Sequence, residues 1–499
     1  MRLHNTLTKS TETFTPIAAD GSATFYSCGP TVYDDAHIGN FRSFLNADVL
    51  RRALELEGFR VKHVMNITDV GHMTEDSDAD GGGEDKMAVA GRRIAEAKKS
   101  GKLPAGADID PTDPYAIASF YAERFLEDAR HLGLKVALEE RKHPELMPRP
   151  TRCVPEMIAL VERLVDRGHA YVAGDGVVYF SVQSFPAYGR LSGNTVDKLR
   201  EGEGGRISAE HQAVKRHPAD FMLWKPDPSH LMRWPSPWGE GYPGWHLECS
   251  AMAKMLLGEE IDLHSGGEDN IFPHHECEVA QSCCASGHAH FARFWFHTRH
   301  LQVEGEKMSK SKGNFFSARD LFAKGVTPAA LRLELVRTHY RVNSNFTMQG
   351  LRDCQRMIDR WSAARATLAA RKGGSGDGPM QRALVEFKEA VADDLNLARA
   401  IAALNGAIGE EPAGDAALEL AALDAMDSVL AVFERNEPLA SAGDDDFAAS
   451  VEALLERRRL ARAAKDFAES DRVRDQLAGM GVRIKDGPQG TTWERIADI

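Results

Sequence analysis

Apolar residues open the chain with a strand pattern and continue it with a helical one. Ala23 to Ser27 (A-T-F-Y-S) reads as a strand, and Phe44, Leu45, Val49, Leu50 and Leu54 recur at helical spacing over Phe41 to Leu56. Val61 to Thr68 (V-K-H-V-M-N-I-T) predicts a second strand, so the opening is a β-α-β unit. Between its first strand and its helix lies Cys28 to Asn40, C-G-P-T-V-Y-D-D-A-H-I-G-N. An open parallel sheet binds anions at this place, because the first helical N–H groups are unpaired and glycine admits an anion close to the backbone. The pattern sets His37 and Asn40 beside such an anion, with Thr68 and Asp69 ending the second strand on the same side.

Further on, Thr74 to Lys86 is acidic and Gly-rich and reads as a mobile, solvated insertion, since it lacks the terminal bidentate Glu of a calcium loop. Helices are predicted over Ala116 to Leu132 and Val154 to Arg167, and a hairpin over Tyr171 to Phe180 around Asp175-Gly176. This region reads as inserted between two halves of a sheet. Trp224, Trp234, Trp238 and Trp245, with clustered prolines, lead into G-W-H-L-E-C at Gly244 to Cys249, as core or as pocket wall. Ile261 to His264 predicts a strand running into Gly266-Gly267-Glu268-Asp269, after which Phe272-Pro273 opens a helix with Pro at or near its first position. That helix carries His274, His275, Glu276, Cys277 and Glu278.

Phe294 to Val303 precedes a basic loop, Glu306 to Gly313 (E-K-M-S-K-S-K-G). From Pro328 the pattern is almost wholly helical, broken by linker-like stretches at Arg371 to Pro379 and Asn436 to Asp446. Phe447 to Met480 is helical and rich in arginine from Arg457 to Arg474, and Val482 to Ile496 predicts a closing hairpin. The expected architecture is α/β. Residues 1–150 and 241–327 form two halves of a parallel-sheet domain, 151–240 an insertion, 328–436 a helical region and 447–499 a terminal module.

Composition narrows the class. The 499 residues suffice for about three domains, and no apolar run is long enough to span a membrane. The first residues lack a signal peptide's apolar core, which predicts a cytoplasmic protein. Seven cysteines, an odd number in a long chain, argue for free thiols or metal ligands over a disulfide framework. The net charge of −13 does not advertise nucleic-acid binding, although a local basic face can still steer a polyanion.

Two constellations carry chemistry. His274 and Glu278 stand four positions apart and so share one helix face. With Cys28 and Cys249 they would make a donor set suited to Zn²⁺. Spacing alone does not join these segments: on the residues alone both cysteines read first as small buried residues and His274 as a capping or packing side chain, and Cys277 and Cys283 are rival ligands. The second constellation is His37 and Asn40 at a helix start with Lys307 and Lys310 on a flexible loop, able to stabilise charge on a triphosphate.

At this point a resemblance enters. Cys28 to Asn40 resembles the "HIGH" segment of class I aminoacyl-tRNA synthetases, and Lys307 to Ser311 matches their "KMSKS" loop. Together with G-W-H-L-E-C-S-A-M at Gly244 to Met252, F-P-H-H-E at Phe272 to Glu276 and K-D-F-A-E-S-D-R-V-R at Lys465 to Arg474, the chain resembles cysteinyl-tRNA synthetases over essentially its whole length. The resemblance implies a Rossmann-like catalytic domain split by the insertion and a helical part that reads the anticodon. It implies one zinc ion on Cys28, Cys249, His274 and Glu278, which removes Cys277 as a ligand. It implies ATP with Mg²⁺, L-cysteine and tRNA(Cys) as partners of a monomer. Cysteine is activated to an adenylate and then passed to the tRNA 3′ end. His37, Asn40, Lys307 and Lys310 would act at the phosphates, and Gly29, Thr31, Gly39, Thr68, Trp245, Gly267 and Asp269 would line the ATP and cysteine site. Two departures stand out: Asn40 replaces the usual second His, and Thr74 to Lys86 lengthens a normally shorter loop. A cysteine ligase acting on an amino-sugar would keep the catalytic part and lack the terminal module. An RNA-binding protein that had lost catalysis would lack His37 or Lys310.

Overall fold

The computed structural model describes residues 1–75, 82–101, 103, 107–194, 214–309, 313–439, 444–463, 466–479, 482–487 and 490–495. An N-terminal hairpin, β1 (Arg2–Asn5) and β2 (Ser10–Thr13), precedes β3 (Ser22–Ser27), α1 (Ile38–Leu56) and β4 (Arg60–Met65). The predicted β-α-β unit is present, with β3 and β4 parallel. Phe41 and Phe44 on α1 interlock with Phe125 of a later helix, at ring separations of 5.7 and 5.6 Å, so the apolar face read from the sequence is the one that packs.

The ends of the acidic stretch 74–86, expected as a solvated loop, are paired, with Gly83 and Glu84 exposed. β5 (Met73–Glu75) and β6 (Gly82–Asp85) pair as an antiparallel hairpin, and residues 76–81 lie outside the described residues. Asp85 turns inward because its carboxylate accepts the Met87 N–H at 2.7 Å and starts α2 (Lys86–Lys99). Helices α3 (Pro114–His131) and α4 (Lys135–Glu139) complete this half.

The insertion holds α5 (Val154–Asp166) and a four-stranded antiparallel sheet: β7 (Ala170–Val172), β8 (Val178–Phe180), β9 (Phe221–Pro226) and β10 (Gly241–Pro243), in the order β10-β9-β8-β7. The β7–β8 hairpin turns where predicted, with Gly176 at φ +84°, a backbone conformation that favours glycine. This sheet packs on α6 (Trp245–Leu257) through Leu247 and Ala251.

The chain then returns to the first sheet as β11 (Ile261–Gly267). The helix expected to open at Pro273 starts later: Phe272 is extended, 271–275 form a wide turn, and α7 runs Glu276–Ser286. β12 (Ala292–Thr298) completes a parallel sheet of order β12-β11-β3-β4. A small sheet of β13 (Leu301–Val303), β14 (Glu306–Lys307) and the later β15 (Ser344–Phe346) follows. Around it lie α8 (Ala318–Ala323) and α9 (Pro328–Val336).

Helices α10 (Met348–Ala370), α11 (Pro379–Ala392), α12 (Leu397–Ile408) and α13 (Ala416–Leu430) share one continuous apolar core with the parallel sheet, including Trp361, Phe387 and Leu423. The terminal segment, expected as one helical stretch, is two helices, α14 (Asp444–Ala463) and α15 (Phe467–Gly479). The hairpin of β16 (Val482–Gly487) and β17 (Gly490–Arg495) follows. This segment has its own core of Val451, Leu455, Val473, Leu477 and Val482. Among the described residues no helix is long and apolar enough to cross a membrane.

Candidate active site and metal centre

In the parallel sheet, β3 leads through α1 to β4 on one side, and β11 leads through α7 to β12 on the other. The winding therefore reverses between β3 and β11, and a crevice opens at their carboxyl ends, where ligands of open α/β sheets bind. Cys28 stands at this point, its N–H donating to Ser265 O at 3.0 Å. Gly29 follows at closest approach: a Cβ there would lie 1.7 Å from Asn66 O. Thr31 pairs with Thr68 across the crevice floor, with Val32 N–H donating to Thr68 O at 2.9 Å.

Helix α6, the wide turn 271–275 and α7 bring Cys249, His274 and Glu278 here. The metal-binding atoms of Cys28, Cys249, His274 and Glu278 all lie within 4.8 Å of one another and are buried. Cys28 Sγ is 3.9 Å from Cys249 Sγ and 3.7 Å from Glu278 Oε1, and His274 Nε2 is 2.9 Å from Glu278 Oε1. A tetrahedral ion with ~2.3 Å bonds to sulfur holds two thiolates about 3.8 Å apart, so the cysteine spacing fits zinc. The electrostatics suit a cation as well. Burial pushes Glu278 up, but the imidazoles of His264 and His274 outweigh it and hold the carboxyl at about 2. The hydrogen bond from Cys28 is the main cause that brings Cys249 down to about 7, whereas burial drives Cys28 well above the ordinary thiol range. Burial lowers His274, yet Glu278 and Cys249 overcome it and raise the ring to about 10.

A second set overlaps the first: Cys28, His264, His275 and Glu278 also lie within 4.8 Å of one another. His275 Nε2 is 3.2 Å from Cys28 Sγ, and its Nδ1 meets His297 Nε2 at 2.7 Å. His297 Nδ1 in turn meets Thr6 Oγ1 at 2.8 Å. His264 Nε2 reaches the other oxygen of Glu278 at 2.8 Å. The set with two thiolates is the softer and the better match to zinc. Cys277 belongs to neither, because its thiol points to the Tyr188 hydroxyl at 3.5 Å.

At the phosphate end of the crevice, His37 caps α1. Its Nδ1 accepts the Asn40 N–H at 3.2 Å, so the neutral ring carries its proton on Nε2 and offers a donor there. Asn40 returns the bond, its Oδ1 accepting the His37 N–H at 3.2 Å. Asn40 is thus first a helix cap, and its amide oxygen is already engaged. Met308 of the basic loop lies directly over this helix end: a Cβ on Gly39 would come within 2.6 Å of its methyl, and Ile38 N–H donates to Phe316 O at 3.0 Å. Beside them a cavity of about 280 Å³ is lined by Asp34, Asp35, Gly313, Phe315, Ser317 and Asp320. Lys307 is exposed on β14, and Lys310 lies outside the described residues.

A family model described as the tRNA synthetases class I (C) catalytic domain matches residues 14–356, and one described as the cysteinyl-tRNA ligase anticodon binding domain matches 444–493. A cysteine–tRNA ligase of Salinibacter ruber is 43% identical, covering 100% of this chain and 99% of that protein. One of Chlorobaculum tepidum is 40% identical, covering 99% of each. The chain belongs to the cysteinyl-tRNA synthetase family. A Campylobacter jejuni structure provisionally described as an arginyl-tRNA synthetase matches at a TM-score of 0.50 and 12% identity, covering 84% of this chain and 94% of that one, a likeness of fold alone.

In the cysteinyl-tRNA synthetase fold, Cys28, Gly29, Thr31 and Thr68 stand at the crevice among the described residues. Trp245 stacks near His274, with ring centroids 4.4 Å apart, and Thr68 is buried on the floor. Gly267 ends β11, its N–H donating to Asn270 Oδ1 at 3.0 Å, and Asp269 is exposed in the following turn. Sequence reading placed His275 beside His274 without giving it a role, and missed His264, His297 and Thr6 behind the metal ligands and Glu248 with His72 beneath Thr68. The signal available for Glu248 was a carboxylate side chain directly before Cys249.

Proposed function

We infer that this protein is a cysteine–tRNA ligase: it activates L-cysteine with ATP to cysteinyl-adenylate and transfers the acyl group to the 3′ end of tRNA(Cys). The observation that carries the reading is the buried quartet Cys28, Cys249, His274 and Glu278 at the switch point of the parallel sheet, in a chain matched end to end by cysteine–tRNA ligases. Zinc held by that quartet would supply a soft Lewis acid that prefers a thiolate to a hydroxyl. An ordinary pocket separates near-isosteres such as cysteine and serine by only ~10²-fold.

The chain's own residues do the rest by orientation and charge. His37 presents its Nε2 donor to the ATP phosphates, which arrive with Mg²⁺ as part of the substrate. Lys310, with Lys307 at the base of its loop, neutralises charge developing on the α-phosphate. Gly39 and Gly29 keep the floor low enough for nucleotide and amino acid. Thr31, Thr68 and Trp245 wall the cysteine side, and Gly267 and Asp269 face the adenosine side. The parallel sheet split by the insertion is the catalytic domain, and residues 447–499 form the anticodon-reading module of a monomer working in the cytoplasm. The deciding measurement is pyrophosphate exchange with cysteine against serine. Discrimination well above ~10²-fold, lost after zinc removal, is expected; equal exchange with both amino acids would overturn the reading.

A further inference from the structure

A chain of buried hydrogen bonds runs from one metal-site cysteine to the neighbourhood of the other. It begins at Gly29, next to Cys28, whose N–H donates to Asn66 Oδ1 at 2.9 Å. Because the Asn66 oxygen is used in this way, its NH₂ must be the group 2.9 Å from Thr68 Oγ1. Thr68 has a single hydroxyl proton, and it goes to Glu248 Oε2 at 3.1 Å. Glu248, next to Cys249 on α6, has its other oxygen 2.6 Å from His72 Nε2. Asn66, Thr68, His72 and Glu248 are each at most 2% exposed, so water does not replace a lost partner. With Oε2 accepting from Thr68, the direction of every bond back to Gly29 is fixed.

We propose that Glu248 is a positioning residue: its carboxylate sets the polarity of a Gly29–Asn66–Thr68–Glu248 strut that holds Cys28 and Cys249 at metal-binding separation before any ion arrives. The proposal rests on the reading that the quartet binds zinc. Its distinguishing feature is direction. Glu248→Gln keeps the shape but replaces one acceptor by a donor: with its NH₂ toward Thr68 Oγ1 that oxygen faces two donors while its own proton has no acceptor, and with its NH₂ toward His72 the imidazole must present a bare Nε2. Asn66→Asp also keeps the shape, and leaves Thr68 between two carboxylates with one proton to give. The double variant reverses the two bonds at Thr68 and keeps the charge: a carboxylate at 66 accepts from both Gly29 and Thr68, and the amide at 248 donates to Thr68.

The test is zinc affinity of the full-length protein, measured by competition with a chromogenic chelator. Each single variant should bind zinc about 10–100-fold more weakly, the usual scale for groups that orient metal ligands. The double variant should return to within about threefold of the parent. Singles within about twofold of the parent, or a double no better than the weaker single, would overturn the strut. If circular dichroism shows that a single variant fails to fold, Thr68→Val removes the middle link instead: adding Glu248→Gln to it should cost no further affinity, and a full additional loss overturns the proposal. A parent chain without zinc affinity would sink the metal reading itself, a result distinct from tight binding by parent and variants alike.

Discussion

Glu278 shares its two oxygens between two imidazoles, with His274 on Oε1 and His264 on Oε2, so removing either ring leaves a buried anion short of a partner. The cysteines contribute differently, since softness, not charge, is what a hydroxyl cannot supply. Cys249→Ser should therefore lower bound zinc and cysteine-over-serine discrimination together, read by metal analysis and by exchange with both amino acids. Cys277→Ser, whose thiol faces Tyr188, should leave both near the parent values. Lys310→Ala should slow single-turnover adenylate formation about 10²–10³-fold with zinc content unchanged, the scale for one lost charge-stabilising donor. The sequence made the His274 and Glu278 pair visible because four positions on a helix define one face. It left His264, His297 and Thr6 hidden, because they join the site only through strands that pair across the sheet and through the N-terminal hairpin.

Helix α1 organises its surroundings at its start and at its middle. At its start the reciprocal bonds of His37 and Asn40 make a capping box, legible in retrospect as the H-x-x-N spacing and read from the sequence only as phosphate chemistry. Asn40→Ala should lower stability by about 1 kcal/mol in thermal unfolding, and Asn40→Asp, which keeps the acceptor, should restore it. Further along, Asp48 on α1 meets Arg332 of α9 at 2.6 Å and Arg52 at 2.7 Å, all three largely buried. Burial pushes Asp48 up, but the two guanidiniums prevail and hold its carboxyl far below the ordinary range. A depressed carboxylate contributes stability above its unfolded pKa, about 3.9, and that contribution is lost as pH falls through the folded value. Arg332→Met should thus destabilise by about 3–5 kcal/mol near neutrality, and its deficit against the parent should shrink below about pH 4, as melting curves across pH will show. The hairpin β1–β2 escaped sequence reading because R-L-H-N and S-T-E-T are short and mostly polar; it is held in place by Asn5, which bonds the backbone of β12.

The molecule has two kinds of connection between its parts. Helices α10 to α13 continue the core of the catalytic sheet, whereas α14, α15 and the last hairpin close on a core of their own beyond residues 440–443. Truncation after Pro438 should therefore leave cysteine-dependent pyrophosphate exchange near the parent rate, and charging of tRNA(Cys) should collapse. Equal charging by both proteins would remove the terminal module from tRNA recognition. The catalytic sheet is not assembled in this modular way. β3 finds one neighbour, β4, soon after it, but its other neighbour, β11, comes only after the whole insertion. At roughly 5–20 residues per second, the 250 residues separating Cys28 from Glu278 take about 10–50 s to synthesise. For most of that interval the nascent Cys28 thiol has neither β11 beside it nor the other three ligands around it, because Cys249, β11, His274 and Glu278 all come at its end. On the ribosome the site is a matter of waiting, and metal capture by the full quartet is confined to chains grown past residue 278.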